Sequence, residues 1–211
     1  EFGTPLYVYS KKALTEAYQA YDKACIDNKG KRRARVHYAM KANSNLAVID
    51  CFKKLGAGFD LVSGGELARA LAIGADPKSL VFAGVGKSAT EIAAALEAGV
   101  KCINVESIAE LHNINRVASK LNCRAPVSLR VNPDVDAQTH PYISTGLKGN
   151  KFGIAYHEVL KTYREASQLS QIDVVGIDCH IGSQIVTTAP YLDALDKVLD
   201  LVEQLQKEGI V

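Results

Sequence analysis

From about residue 35 onward, apolar and polar positions repeat one pattern, a short β-rich run followed by a stretch with helical spacing. The runs begin near Val36, Phe59, Leu80, Lys101, Val127 and Val174, at intervals of 23, 21, 21, 26 and 47 residues. Such alternation predicts parallel strands joined by crossover helices. Ser63, Ser88 and Ser107 each have a Glu three residues later (Glu66, Glu91, Glu110), the pattern of a capping box in which Ser and Glu reciprocally satisfy free N–H groups at a helix start. Gly56, Gly74 and Gly99 mark the stops of helices. A last helical stripe runs Leu192, Leu195, Val198, Leu199, Val202, Leu205, with Thr188 and Pro190 at its start and Gly209 beyond its end. Six βα units in this order predict an α/β fold of the TIM-type (β/α)8 barrel class, incomplete at about six units. Residues 1–34 read as an extended segment and a helix leading into it, and 35–211 as the partial barrel. A next strand would fall where the chain stops, so the sequence reads as a fragment lacking barrel closure, with apolar edges that predict association.

The 47-residue interval holds Asn132-Pro-Asp134 and the polar run Thr139 to Gly153 before a helix expected from about Tyr156 to Leu169. A long loop at a parallel strand's exit is a candidate substrate loop. Composition changes the picture little. The 25 basic and 23 acidic side chains nearly cancel, which disfavours nucleic acid as a partner. There is no apolar run of membrane-spanning length and no signal-peptide pattern at the start, so the reading is a soluble cytoplasmic protein with no membrane partner. The five cysteines lie at least 21 residues apart, which fits reduced, mostly buried residues better than a disulfide framework or metal site. The basic cluster Lys29 to Arg35 reads as a solvated loop.

Strand side chains alternate between faces. In Arg35 to Lys41, His37, Ala39 and Lys41 share the face opposite Val36, Tyr38 and Met40. Ser128, Arg130 and Asn132 face away from Val127, Leu129 and Val131, and Asp178 and His180 away from Ile177 and Cys179. Asp60, Asn104 and Glu106 also mark strand exits. Barrel sites are built at the C-terminal strand ends, so Lys41, Asp60, Arg130 and His180 are expected to converge. The histidines show no metal-ligand spacing, and neither GxSxG nor GxGxxG occurs. Gly84-Val-Gly-Lys87 resembles the tail of a phosphate loop but lacks its upstream glycine. A lysine in a partly buried polar pocket can attack a carbonyl as the neutral amine. Residue chemistry alone leaves two readings open: an aldolase-like Schiff base with substrate, or pyridoxal phosphate held on Lys41.

Six strings decide between them. Tyr38-Ala-Met-Lys-Ala-Asn43, Gly58-Phe-Asp-Leu-Val-Ser-Gly-Gly-Glu-Leu67, Leu129-Arg-Val-Asn-Pro133, His140-Pro-Tyr-Ile-Ser-Thr-Gly146, Lys151-Phe-Gly153 and His180-Ile-Gly-Ser-Gln184 occur in the order seen in fold type III pyridoxal-phosphate-dependent decarboxylases. The chain resembles that family throughout its length, and its alanine-racemase-like barrel is the fold implied. The resemblance implies pyridoxal 5'-phosphate as cofactor, Lys41 as the residue bonded to it and His180 as the imidazole stacked on its ring. It further implies that Asp60 and Glu66 organise lysine and ring, that Arg130 lines the pocket and that Ser183 lies near the cofactor phosphate. Lys41 and His180 are the expected catalytic residues, with no metal. The match is closest to members acting on meso-2,6-diaminopimelate, implying decarboxylation to L-lysine and CO2. It also implies an amino-acid substrate and a homodimeric parent about twice this length, this portion alone being inactive. The alternatives are a decarboxylase for ornithine, arginine or carboxynorspermidine, and a non-catalytic pyridoxal-phosphate-binding barrel.

Overall fold

The computed structural model describes residues 1–135 and 152–210, which fall into two compact units, 1–81 and 82–211. The first unit opens with α1 (Lys11–Ala24), followed by β1 (His37–Ala39), α2 (Leu46–Lys54), β2 (Gly58–Leu61) and α3 (Gly64–Ala72). Strand β3 (Leu80–Phe82) carries the chain into the second unit. That unit contains α4 (Ala89–Ala98), β4 (Cys102–Val105), α5 (Ile108–Lys120), β5 (Ala125–Asn132), β6 (Ile154–Ala155), α6 (Val159–Gln168), β7 (Ile172–Cys179) and α7 (Ala189–Lys207). All six expected strand starts are realised. Strands β1 and β2 pair in parallel, and β4, β6 and β7 each pair in parallel with β5.

The apolar faces that alternation marked are buried in part: Val127, Leu129 and Val131 of β5 are buried, as is Met40, whereas Val36, Tyr38, Ile177 and Cys179 are half-buried and Val175 is exposed, because the short β1 and the strand β7 are covered on fewer sides than β5. Met40, Ile49, Phe59 and Leu61 are fully buried in the first, as are Ile103, Val105, Val127 and Leu129 in the second. At roughly 1.5–3 kcal/mol for each large side chain removed from water, these layers are the main source of stability. The expected glycine stops have positive φ, at 95° for Gly56, 69° for Gly74 and 76° for Gly99. In that left-handed region a Cβ is strained.

The three helix starts differ in a way spacing does not reveal. Only α4 has the complete capping box: Glu91 N–H donates to the Ser88 hydroxyl at 3.3 Å, and Ser88 N–H to the Glu91 carboxylate at 2.9 Å. At α3 and α5 the Ser caps as expected, but the glutamate accepts from the residue before the cap. Val62 N–H donates to Glu66 and Glu106 N–H to Glu110, both at 2.7 Å. Ser63 and Ser107 are fully extended (φ −157° each), whereas Ser88 has φ −71°, so the backbone entering α3 and α5 presents a different N–H to the carboxylate.

Three further expectations are corrected and a fourth gains detail. The extended run to Lys41 is shorter: β1 ends at Ala39, and Met40–Ala42 form a 3-10 turn. Of the five cysteines only Cys102 is buried, the rest being half-buried. The Lys29–Arg35 cluster is an exposed loop as expected, with Arg32 forming two hydrogen bonds to Asp22 (2.7 and 3.0 Å), Arg33 pairing with Asp27 at 2.6 Å and Arg35 donating to the Gly56 carbonyl. Helix α7 is docked through Pro190, Ala194, Leu201 and Leu205 rather than the whole expected stripe. Leu192, Leu195 and Leu199 are each at least half exposed. At about 100° per residue they lie on another side of the helix from Ala194 and Leu201, and periodicity does not say which side a small residue brings into contact.

Candidate functional site

Strands β4, β5 and β7 place polar residues in two rows. In the first, Asn104 pairs in register with Ser128, and Ser128 with Gly176. The Ser128 hydroxyl donates to the Asn104 side-chain oxygen at 2.6 Å. Two residues further on, Arg130 is in register with Asp178, and Glu106 follows directly after β4. The Arg130 guanidinium donates through Nη1 to both oxygens of Glu106, at 2.9 and 3.0 Å, with the two side chains only 13% and 5% exposed. A pair this dry holds a well-defined geometry, because losing either partner would strand a buried charge. The Phe152 ring lies 5.7 Å from the guanidinium carbon, within cation–π range. Gly153 (φ +78°) brings the chain so close that a Cβ there would come 2.9 Å from the Arg130 carbonyl oxygen.

Burial pushes the Asp178 carboxyl above the usual carboxylate range; Arg130 pulls it down and Glu106 pushes it up. Burial, with Asp178 adding to it, moves the neighbouring Cys179 thiol up to about 11. His180 lies one residue past β7, exposed, and lines a cavity of ≈ 340 Å³ with Cys179, Ile181, Gly182 and Tyr191. Ser183 is exposed beyond it.

In the first unit Lys41 sits on the 3-10 turn after β1 and is exposed, which corrects the expectation of a partly buried amine at a strand position. The turn is anchored by Tyr38, whose ring stacks on Phe52 at 4.2 Å and whose hydroxyl donates to the Asn43 carbonyl at 3.1 Å. Asp60 is half-buried on β2, in register with Ala39, two residues before the lysine. Glu66 holds the start of α3. The structure thus brings Asp60 beside the turn of Lys41 in one unit, and Arg130 beside the strand leading to His180 in the other.

Sequence reasoning set aside Lys87, which is buried and ion-paired with Glu110 at 2.9 Å, and gave Phe152 no contact. A lysine directly before a capping serine was the available signal for the former. His140, Tyr142 and Lys151 lie outside the described residues. Among the described residues, no group of three His, Cys, Asp or Glu is placed to hold a metal, and no helix is long and apolar enough to cross a membrane.

The first unit offers the primary amine of Lys41, a group that can bond to an aldehyde, and the second offers the planar imidazole of His180 and the buried Arg130–Glu106 pair. In agreement, residues 11–211 match the family described as pyridoxal-dependent decarboxylase, pyridoxal binding domain, and the chain belongs to that family. Pyridoxal phosphate is its cofactor, and the fold is that of the fold type III decarboxylases. Among its relatives is diaminopimelate decarboxylase of Neisseria meningitidis serogroup A, 57% identical across all of this chain and 51% of its own length. The Vibrio cholerae enzyme of the same name is 52% identical over all of this chain and 49% of its own length. The crystal structure of the Helicobacter pylori enzyme in complex with L-lysine aligns with a TM-score of 0.93 at 41% identity, over 99% of this chain and 52% of that one. The chain therefore spans about half the length of the relatives it matches.

Proposed function

We propose that these residues are the N-terminal part of a diaminopimelate decarboxylase, which removes CO2 from meso-2,6-diaminopimelate to leave L-lysine. The observation that carries this reading is identity of 57% extending over the whole chain to a relative of that name. In the reading, the exposed Lys41 amine would be the group that holds the cofactor through its aldehyde. Asp60, beside the turn that carries it, and Glu66 at the α3 start hold the lysine's surroundings in place. His180 would supply a planar imidazole for the cofactor ring to rest against, Ser183 a hydroxyl for its phosphate, and Arg130, held by Glu106, a cation lining the pocket. Bound pyridoxal phosphate supplies the ring that takes up the electron pair left by CO2. The protein is a cytoplasmic homodimer in this reading.

Two measurements on the full-length protein test it. Borohydride reduction with pyridoxal phosphate, followed by peptide mapping, should modify Lys41 and leave Lys41→Ala unlabelled. Release of CO2 should be fastest from meso-diaminopimelate. Faster release from ornithine or arginine would overturn the substrate assignment, and labelling at another lysine would overturn the role of Lys41.

A further inference from the structure

We infer that Lys87 is a positioning residue that holds the Arg130 guanidinium in place through Glu110 and Glu106. The Lys87 side chain is 1% exposed, an unusual place for an ammonium group unless every donor is used. All three are. Nζ donates to the Gly84 carbonyl at 2.6 Å and the Asn104 carbonyl at 2.8 Å, and pairs with Glu110 Oε1 at 2.9 Å. The Phe82 ring closes another side at 5.9 Å.

Those acceptors connect it to both polar rows. Asn104, held by its carbonyl, accepts from Ser128 through its side chain. Glu110 uses its second oxygen to accept the Glu106 N–H at 2.7 Å, and Glu106 is the carboxylate on Arg130. Lys87 therefore fixes the exit of β4 at two points, residues 104 and 106, which share a face and meet Ser128 and Arg130. Without the ammonium, Glu110 is a buried carboxylate lacking its cation. It then has reason to turn toward water, releasing the backbone that aims Glu106. A lysine serving only to stabilise the fold would need no link ending on Arg130.

The inference rests on Arg130 being a pocket residue, but its test reads the guanidinium directly and does not require turnover. In the full-length protein without added substrate, the rate of Arg130 modification by phenylglyoxal is followed by peptide mapping, with circular dichroism to confirm folding. Lys87→Met should raise that rate on the order of tenfold, as expected for residues coupled in one buried network. Lys87→Arg, which keeps the charge, should restore much of the protection. Glu110→Gln, which keeps the shape and removes the charge, should also raise the rate, and it decides the matter should Lys87→Met not fold. Ser88→Ala, which loosens the same helix start without touching Nζ, should leave Arg130 protected. Unchanged Arg130 reactivity in a folded Lys87→Met or in Glu110→Gln would overturn the inference, as would an equal rise in Ser88→Ala. Failure of the substrate assignment would instead appear as slow CO2 release from diaminopimelate with this protection pattern intact.

Discussion

Gly58→Ala is the substitution for which the structure specifies the penalty most directly. Gly58 opens β2 in register with His37 of β1, and the absent side chain is the space the imidazole fills. A Cβ at Gly58 would come 2.3 Å from His37 Cδ2, 2.4 Å from Nε2 and 2.8 Å from the Ser79 carbonyl oxygen, all under the closest approach real Cβ atoms make. The ring can rotate away, but the carbonyl belongs to the backbone of the turn Pro77–Ser79 and moves only with that turn. Overpacking of this kind costs about 1–3 kcal/mol, and the backbone contact puts the cost at the upper end. Reduced freedom of the unfolded chain returns about 0.4–1 kcal/mol, leaving a net loss of about 2 kcal/mol. Urea titration of the full-length protein followed by circular dichroism should show a lower midpoint at unchanged slope. In a His37→Ala background the same substitution should cost about 1 kcal/mol less, because the ring contacts are gone and only the carbonyl remains. A wild-type midpoint for Gly58→Ala, or an equal loss in both backgrounds, would refute the steric account.

Ser88→Ala removes the hydroxyl of the complete capping box and should cost about 1 kcal/mol in the same titration. Tyr163, fully buried on α6, donates to the Gly176 carbonyl of β7 at 2.8 Å, so Tyr163→Phe should cost about 1 kcal/mol. Burial also raises its phenol well above the ordinary value near about 10. The fold thus favours the neutral form, and the resulting stability is fully present below the unfolded value and lost as pH rises through the folded one. The ultraviolet difference between wild type and Tyr163→Phe should show no phenolate until circular dichroism reports unfolding; a phenolate signal in the folded protein would contradict this. Cys179, with its thiol pushed up to about 11, should react slowly with iodoacetamide at pH 8, and Asp178→Asn, which removes the neighbouring charge, should quicken that reaction.

The amino-acid sequence by itself determined the repeating βα order, because alternation with period two and stripes with period 3.6 report which residues a strand or helix can bury. It also determined the helix punctuation at Ser63, Ser88, Ser107 and the following glycines, since caps and left-handed stops are local geometry. Alternation placed Lys41, Asp60, Arg130 and His180 at or near the C-terminal ends of strands, whereas the roles expected of them came from the resemblance of the strings they stand in to a known family. What a side chain touches across strands is not local, and only the tertiary structure decided it. The register of β5 against β4 and β7 sets Arg130 between Glu106 and Asp178, and the bend at Gly84 turns a lysine next to a helix cap into a buried cation. The early end of β1 leaves Lys41 on an exposed turn rather than in a strand. The docked side of α7 was likewise hidden, because an apolar stripe records what can be buried, while the partners that cover it, such as Val135 and Ile181 around Ala194, come from elsewhere in the chain.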